Sequence, residues 1–271
     1  MTAGAHAAKS VVLPDVSMFW HGPALSRIER LCMASFIANG HAVRLHAYAE
    51  LAGVPAGVDL IDAATILPRA VLDAHIESRP LALFADRFRY QLLLDHGGLW
   101  VDTDVVCLKP FDHARAEIFA WQDALTINNA VLGLPPAHPL ARHMLELCEH
   151  PNRIQPDDSF KIRRRKVLAR LLGRTARERW GATGPQGVTQ AAHQLRCADR
   201  ALPFWHFYPV AYQNWQSVFD TSLADNPSFV AASYGVHLWN EMGRRAPGFD
   251  KNAHFAPESL FEQLCRRYSV Q

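Results

Sequence analysis

Residues 97–104 read Gly-Gly-Leu-Trp-Val-Asp-Thr-Asp, and this stretch decides which fold the sequence predicts. The apolar residues 99–101 indicate a short strand that begins after a glycine pair and runs directly into two aspartates. Ligands of open α/β sheets bind beyond the carboxyl ends of the strands, which is where Asp102 and Asp104 would lie. Two adjacent carboxylates repel each other unless a cation lies beside them, and hard divalent ions prefer oxygen ligands. The stretch therefore predicts a divalent cation site at a strand end.

The segments around this stretch predict an α/β fold with a mainly parallel sheet. A strand at 16–20, a helix with Ile28, Leu31, Cys32 and Phe36 on one face, and an alternating strand at 42–48 form a βαβ unit. We expect one domain over 1–271, with a nucleotide-binding half at 1–135 and a C-terminal acceptor half at 136–271. The further expected elements are helices at 86–96, 138–149, 160–179 and 257–268, a strand at 124–134, and strand-like pieces at 203–210 and 228–238.

The bulk composition excludes several classes of protein. The 28 basic and 26 acidic side chains leave a net charge of +2, which provides no global field for nucleic acid. The five cysteines are scattered without a CxxC pair, so the sequence suggests no disulfide framework and no cysteine-rich zinc site. Because the sequence has no secretory signal pattern and no apolar window long enough to span a bilayer, we expect a cytoplasmic protein.

The aspartate stretch belongs to a longer pattern. Ala-Asp-Arg-Phe-Arg-Tyr at 85–90 precedes the glycine pair at a fixed distance, and the whole string resembles the DXD-containing sugar transferases. The similarity is to the family 32 type and, more distantly, to the clostridial glucosylating toxins; Trp100 stands where those families more often have tyrosine. The resemblance implies a GT-A fold, Rossmann-like α/β/α with a small C-terminal acceptor region.

The same resemblance implies an activity. It is the metal-dependent, retaining transfer of a hexose from a nucleotide-sugar to a saccharide or lipid-linked acceptor, with Mn²⁺ or Mg²⁺ as cofactor. A UDP-sugar is the favoured donor, and GDP-mannose stays open. Relatives in bacteria imply a place in surface polysaccharide or lipopolysaccharide synthesis.

Roles for the donor-side residues follow from the resemblance. Asp104 would bind the metal directly, while Asp102 would lie nearer the ribose or bind the metal through water. Asp86 and Arg89, three apart on a helix, would contact the hydroxyls of the donor sugar, and Tyr90 belongs to the same donor-binding set. Without the resemblance, Asp86 and Arg89 would read as an ion pair on an exposed face.

Three further segments extend the pattern. Trp20 would stack on the uracil ring, the alternative being a core tryptophan. In His-Leu-Trp at 237–239, strand alternation places both aromatic side chains on one side, and the resemblance makes His237 a metal ligand and the Trp239 indole N–H a donor to a phosphate oxygen. On the acceptor side, Asn129 and Gln186 are candidate catalytic residues beside Asp104; their segments also read as simple turns.

The stretch 161–179 holds nine Lys or Arg and one acid. It fits either a solvated helix packed on the sheet or a patch for anionic lipid, giving peripheral contact at the inner membrane face. Nucleic acid is not expected as a partner, since no aromatic platform is interleaved with the charges.

Two other functions compete with sugar transfer. Asp-Thr-Asp followed by Val also satisfies the nucleophile motif of haloacid-dehalogenase-type phosphatases, with Asp102 phosphorylated and Asp104 as acid/base. That motif normally ends the first strand of its fold, whereas here a βαβ unit precedes it. A non-catalytic carbohydrate-binding module is the second alternative, and the intact set of acidic, basic and imidazole side chains argues against it.

Overall fold

The computed structural model describes residues 13–77, 79–112, 115–156, 158–176, 181–224 and 231–271. The strands are β1 (Val16–Phe19), β2 (Val43–Ala47), β3 (Val58–Asp62), β4 (Gly98–Val101), β5 (Val105–Cys107), β6 (Ile118–Trp121), β7 (Ile127–Leu134) and β8 (Gly235–His237). The helices are α1 (Arg27–Ala38), α2 (Arg69–Ile76), α3 (Leu81–His96), α4 (Pro139–Glu149), α5 (Phe160–Leu171), α6 (Pro185–Gln194), α7 (Asn240–Arg245) and α8 (Leu260–Arg267).

Six of the strands form one sheet in the order β3-β2-β1-β4-β7-β6. The pairs β1–β2, β1–β4 and β2–β3 are parallel, while β7 runs antiparallel to both β4 and β6. The carboxyl ends of β1, β2 and β4 consequently meet at one edge. The predicted Rossmann-like, mainly parallel sheet with the aspartates at a strand end is confirmed, as expected of the GT-A fold.

Helix α1 forms as its sequence predicts. Ser26 and Glu29 make a capping box at its start, and Gly40 follows its end with φ of 86°. Its predicted apolar face is fully buried, since Ile28, Leu31, Cys32 and Phe36 are each 0% exposed.

Helices cover both faces of the sheet because strand side chains alternate. Val16 and Met18 of β1 join a core with α1, α8 and the β5–β8 pair. Phe19 and Trp100 point to the other face, into a core with α3, α4 and α6. The result is a layered α/β/α arrangement with a large apolar core on each side.

The glycine pair sets the turn from α3 into β4. Gly97 has φ of 65°, and a Cβ there would lie 2.6 Å from the ring nitrogen of Pro136 and 2.9 Å from the carbonyl oxygen of Leu134. Only glycine allows this approach. The turn thus fixes where β4 begins and where Asp102 emerges at its end.

After Asp102 the chain leaves the main sheet and forms a second pair. β5 lies antiparallel to β8, with Val105 opposite His237 and Cys107 opposite Gly235. This pairing joins residues far apart in the sequence. It brings the C-terminal His-Leu-Trp segment against the aspartate motif.

Several predicted boundaries change. Helix α3 begins at Leu81, earlier than predicted. Strand β7 begins at Ile127, later than predicted, because Asp123 accepts hydrogen bonds from the backbone N–H groups of Leu125 and Thr126 and so holds these residues in a turn. Helix α5 ends at Leu171, since Gly173 takes a left-handed φ of 61°. Residues 177–179 of the predicted helix lie outside the described residues.

The strand predicted at 203–210 is wrong. Phe204–His206 form a 3-10 turn, and only Leu202, just before the segment, bridges to Ala120 of β6. Of the second strand-like piece, only Gly235–His237 is a strand, and residues 228–230 lie outside the described residues. Apolar composition alone does not distinguish such packed turns from strands. Among the described residues, no helix is both long and apolar enough to cross a bilayer.

Candidate active site

Three side chains converge where β4 ends and β5 begins. One ligand atom from each of Asp102, Asp104 and His237 lies within 4.8 Å of the others. His237 Nε2 lies 3.2 Å from Asp104 Oδ1. The β5–β8 pairing produces this contact, and the backbone N–H of Leu238 adds a bond of 2.8 Å to the carbonyl oxygen of Asp104.

Asp104 is held ionised in a buried position. Its Oδ2 accepts a hydrogen bond of 2.8 Å from the backbone N–H of Asn240, while Oδ1 faces His237. Burial opposes the charge, but the attraction and hydrogen bond of His237 outweigh it, so the pKa of Asp104 is lowered. An ionised carboxylate beside an imidazole is ready to bind a cation.

Asp102 is in a different environment. Its Oδ1 accepts a bond of 2.5 Å from Arg89 Nη2 and one of 2.7 Å from the indole N–H of Trp100. Burial and the nearby charge of Asp104 together raise the pKa of Asp102 to about 6, against the attraction of Arg89. The protein fixes this carboxylate through one oxygen.

The donor set fits a small divalent cation. Two carboxylates and one imidazole suit Mn²⁺, and Mg²⁺ also accepts carboxylates with further oxygens from phosphate or water. Nδ1 of His237 is buried and has no hydrogen-bond partner among the described residues. The predicted metal ligands Asp102, Asp104 and His237 are therefore brought together, and their metal-binding role stays a prediction.

Beside this cluster lies a buried polar network around Asp86. Its Oδ1 accepts from Arg89 Nη1 at 3.2 Å and from Asn129 Nδ2 at 3.1 Å, and its Oδ2 accepts from Thr183 Oγ1 at 2.8 Å. The Arg89 side chain is 4% exposed, so the pair is not an ion pair on an exposed face. Burial raises the pKa of Asp86, and Arg89, Thr183 and Asn129 counteract it.

Tyr90 ties the network to the loop before α6. Its hydroxyl donates to the carbonyl oxygen of Thr183 at 2.6 Å and accepts from Asn129 Nδ2 at 2.9 Å. Tyr90 is fully buried. It therefore orients Asn129 and the loop, and its side chain is not exposed to a nucleotide-sugar in this arrangement. The sequence pattern placed Tyr90 in the donor-binding set without indicating Thr183, because a threonine in a loop carries no local signal.

Trp20 lines a separate cleft at the ends of β1 and β2. The cleft has a volume of about 420 Å³ and is also lined by Tyr48 and Arg69. The Trp20 indole N–H donates to the carbonyl oxygen of Ala24 at 3.2 Å, and the ring is half-buried. The Trp20 ring packs against the edge of the apolar core and also forms one wall of the cleft, so Trp20 is not a fully buried core residue.

Lys251 lies beside the candidate site, and the sequence did not indicate it. Its Nζ lies 5.0 Å from the centre of the Trp20 ring and forms an ion pair with Glu29, whose side chain is 0% exposed. The charge of Lys251 also contributes to lowering the pKa of Asp104. A cation therefore contacts the aromatic cleft and acts electrostatically on Asp104. No motif surrounds it in the sequence, so only the packing identifies it.

Besides Tyr90, two other predicted site residues are placed differently from expectation. The Trp239 indole N–H donates to the carbonyl oxygen of Val210 at 2.7 Å, so it is not directed at the metal cluster. Trp239 has left-handed backbone angles, φ 55° and ψ 47°, and its ring contacts that of His237, with ring centres 4.1 Å apart and the two planes tilted by 59°. Gln186 is exposed in the first turn of α6, beside Gly181 and outside the Asp86 network.

Two family models match the chain in complementary regions. The model described as "Glycosyltransferase sugar-binding region containing DXD motif" matches residues 44–122, which include the Asp86 helix and both aspartates. The model described as "Alpha 1,4-glycosyltransferase conserved region" matches residues 165–270, which include His237 and Lys251. The chain belongs to the DXD-motif glycosyltransferases. In this glycosyltransferase the aspartates follow the fourth strand of the chain. In the haloacid-dehalogenase-type phosphatases, the alternative raised by the sequence, the corresponding motif ends the first strand.

Curated relatives of this glycosyltransferase are similar over most of its length. The "Alpha-1,4-N-acetylglucosaminyltransferase" of Homo sapiens is 26% identical over 212 residues, covering 72% of this chain and 54% of the relative. The "Lactosylceramide 4-alpha-galactosyltransferase" of Rattus norvegicus is 28% identical over 200 residues, covering 69% and 48%. The chain thus spans about half the length of these relatives. A solved structure, "PaToxG Glycosyltransferase", is 13% identical with a TM-score of 0.44, covering 95% of this chain and 86% of that one.

Proposed function

We propose that this glycosyltransferase transfers a hexosyl residue from a nucleotide-sugar, with UDP as the favoured carrier, to a saccharide or lipid-linked acceptor in the presence of Mn²⁺ or Mg²⁺. One observation carries the proposal: the Asp102, Asp104 and His237 cluster adjoins the buried Asp86–Arg89 network. A cation site beside a hydrogen-bonding pocket suits a molecule with a diphosphate next to a sugar.

The parts of such a donor have matching positions. Trp20 provides a flat ring for a base, and stacking on it is worth about 1–3 kcal/mol. Lys251, which contacts the Trp20 ring and acts electrostatically on Asp104, would pair with a phosphate oxygen. When bound, the cation would stabilise negative charge on the departing diphosphate. Asp86 and Arg89 would hold the sugar hydroxyls.

The carboxylates of the site favour a front-face reaction with retained configuration. Asp86 accepts three hydrogen bonds from protein groups, and Asp102 accepts two. Carboxylates held in this way are positioning groups and poor nucleophiles. The departing diphosphate would then take the proton of the acceptor hydroxyl, with Asn129 beside the sugar. Gln186, exposed at the start of α6, would contact the acceptor.

The relatives' names support a linkage class. The names of both relatives specify an α linkage to a 4-position of the acceptor. We therefore propose that this chain forms an α-1,4-linked product on a glycan or glycolipid acceptor. Surface polysaccharide or lipopolysaccharide synthesis in the cytoplasm is the setting that we propose from the sequence resemblance.

Nucleotide release tests the function. The protein is incubated with a panel of UDP- and GDP-sugars and Mn²⁺, with and without EDTA. We expect UDP release that EDTA abolishes, and a loss of about 1000-fold in kcat/KM for Asp104→Asn, since a metal contributes several kcal/mol to charge stabilisation. Asp59→Asn, on the exposed side of β3, is the matched control and should retain activity.

The same assay separates the competing functions. Activity restricted to phosphate monoesters would favour the phosphatase with Asp102 as nucleophile. Binding of nucleotide-sugar without any turnover would favour the carbohydrate-binding module. Either result would overturn the proposal.

A further inference from the structure

Helix α5 differs from the other long helices because none of its residues is buried. Four of its apolar side chains are exposed to an unusual degree: Phe160 at 81%, Val167 at 43%, Leu168 at 54% and Leu171 at 78%. Apolar side chains concentrated on one helix differ from single exposed ones, which are normal on protein surfaces.

The apolar side chains share one side of the helix. At 3.6 residues per turn, Phe160, Val167 and Leu171 fall within one narrow stripe, with Leu168 at its edge. Ile162, Lys166 and Ala169 lie on the opposite side, and these are the half-buried residues of α5. The apolar stripe therefore faces away from the protein body, so it does not contribute to the core.

Basic side chains surround the stripe. Residues 159–176 contain no Asp or Glu, whereas the whole chain is nearly neutral with a net charge of +2. Lys166 is bound to Asp158, and Arg163 donates to the carbonyl oxygens of Pro156 and Asp158. Lys161, Arg164 and Arg165 are exposed and make no such contact with the described residues.

We propose that α5 docks onto an anionic lipid bilayer, with its apolar stripe in the acyl boundary and its basic side chains among the headgroup phosphates. A helix in the plane of a membrane needs both features, an apolar side and flanking cations. A nucleic acid would match the charges but would leave the apolar stripe in water. An acidic protein groove would match both features, and it becomes an outcome of the test.

Vesicle co-sedimentation tests the proposal with the full chain. The probes are vesicles of phosphatidylcholine alone and vesicles with equal parts of phosphatidylcholine and phosphatidylglycerol. We expect partition into the anionic vesicles only, and weaker partition at high salt because salt screens the charges. The triple variant K161Q/R164Q/R165Q should partition about 100-fold less well, at about 1 kcal/mol for each basic residue near the surface. F160S/L171S should partition at least about tenfold less well.

Matched controls keep the result interpretable. Leu125→Ser removes an exposed apolar side chain from the turn between β6 and β7, and R142Q/R196Q removes exposed charges from α4 and from the turn after α6; these variants should bind as the wild type does. Since α5 buries no side chain, thermal unfolding of the α5 variants should be unchanged. UDP release with a soluble acceptor should also be unchanged, which separates this proposal from the proposed function.

Three outcomes would overturn membrane docking. The first is the absence of partition into anionic vesicles, which would leave an acidic protein groove as the occupant of α5. The second is an equal loss of partition in the control variants. The third is partition that survives both α5 variants, which would place the membrane contact elsewhere on the chain.

Discussion

Arg89 donates to two aspartates at once: Nη2 lies 2.5 Å from Asp102 Oδ1, and Nη1 lies 3.2 Å from Asp86 Oδ1. The guanidinium therefore joins the two halves of the candidate site, the metal cluster and the sugar pocket. A planar group with fixed donor directions is suited to this bridge, and a lysine is not.

Removal of this bridge should be costly. Arg89→Ala leaves two partly buried carboxylates without their counter-charge, so we expect the free energy of unfolding to fall by about 2–4 kcal/mol, measured by urea denaturation. Arg87→Ala, which breaks the half-exposed pair with Glu149, is the control and should cost less than about 1 kcal/mol. Equal losses in the two variants would show that Arg89 does not neutralise the site.

Lys251 should contribute to donor affinity separately from its structural pair. Lys251→Gln is expected to weaken UDP binding by roughly 10- to 100-fold, the range for a lost hydrogen bond to a charged group, as measured by calorimetry with Mn²⁺. It should also destabilise the fold, because Lys251 is the cation paired with the buried Glu29, and no second one pairs with it among the described residues.

The double variant E29Q/K251Q separates these effects. It removes the uncompensated charge, so stability should recover while UDP affinity stays low. Recovery of both properties would mean that Lys251 acts on the donor only through the fold.

Trp20 should affect donor binding more than turnover. Trp20→Ala removes the ring at the cleft, and we expect the KM for the nucleotide-sugar to rise roughly 5- to 100-fold with little change in kcat. Trp205→Ala, at a half-exposed tryptophan in the turn that follows Pro203, is the matched control. A change in kcat alone would contradict the stacking role.

His46 should make the protein sensitive to acid. Burial lowers its pKa from 6.5 to about 4, and Arg44 and His96 add to the effect. Between these pH values the unfolded chain binds a proton that the native protein does not. The contribution of His46 to stability is therefore complete above pH 6.5 and decreases as the pH falls towards 4.

Replacement of His46 tests this sign. In His46→Leu the decrease in unfolding free energy from neutral pH to pH 4 should be smaller than in the wild type by up to about 3 kcal/mol. Denaturation curves at a series of pH values measure it, with His150→Gln as the control for replacing an exposed histidine. If His46→Leu leaves the pH dependence of the unfolding free energy unchanged, the lowered pKa of His46 does not cause the acid sensitivity.

The sequence by itself determined the local parts of this protein. The apolar run before Asp102, the i, i+3 spacing of Asp86 and Arg89, and the βαβ opening fixed the sheet edge and the residues presented there. These features depend on neighbours along the chain, and strand and helix periodicity encode them directly. The two aspartates of the cation cluster could therefore be predicted from local sequence. His237 could be predicted only from the resemblance of its segment to the sugar-transferase families.

The tertiary structure alone decided the contacts between distant segments. The β5–β8 pairing sets His237 against Asp104, the packing of the C-terminal region brings Lys251 over Trp20, and the Trp239 indole is turned to Val210. Thr183 reaches Asp86 only because the loop before α6 folds back on α3. Such contacts arise from the packing of whole elements, so no periodicity or spacing in the sequence encodes them.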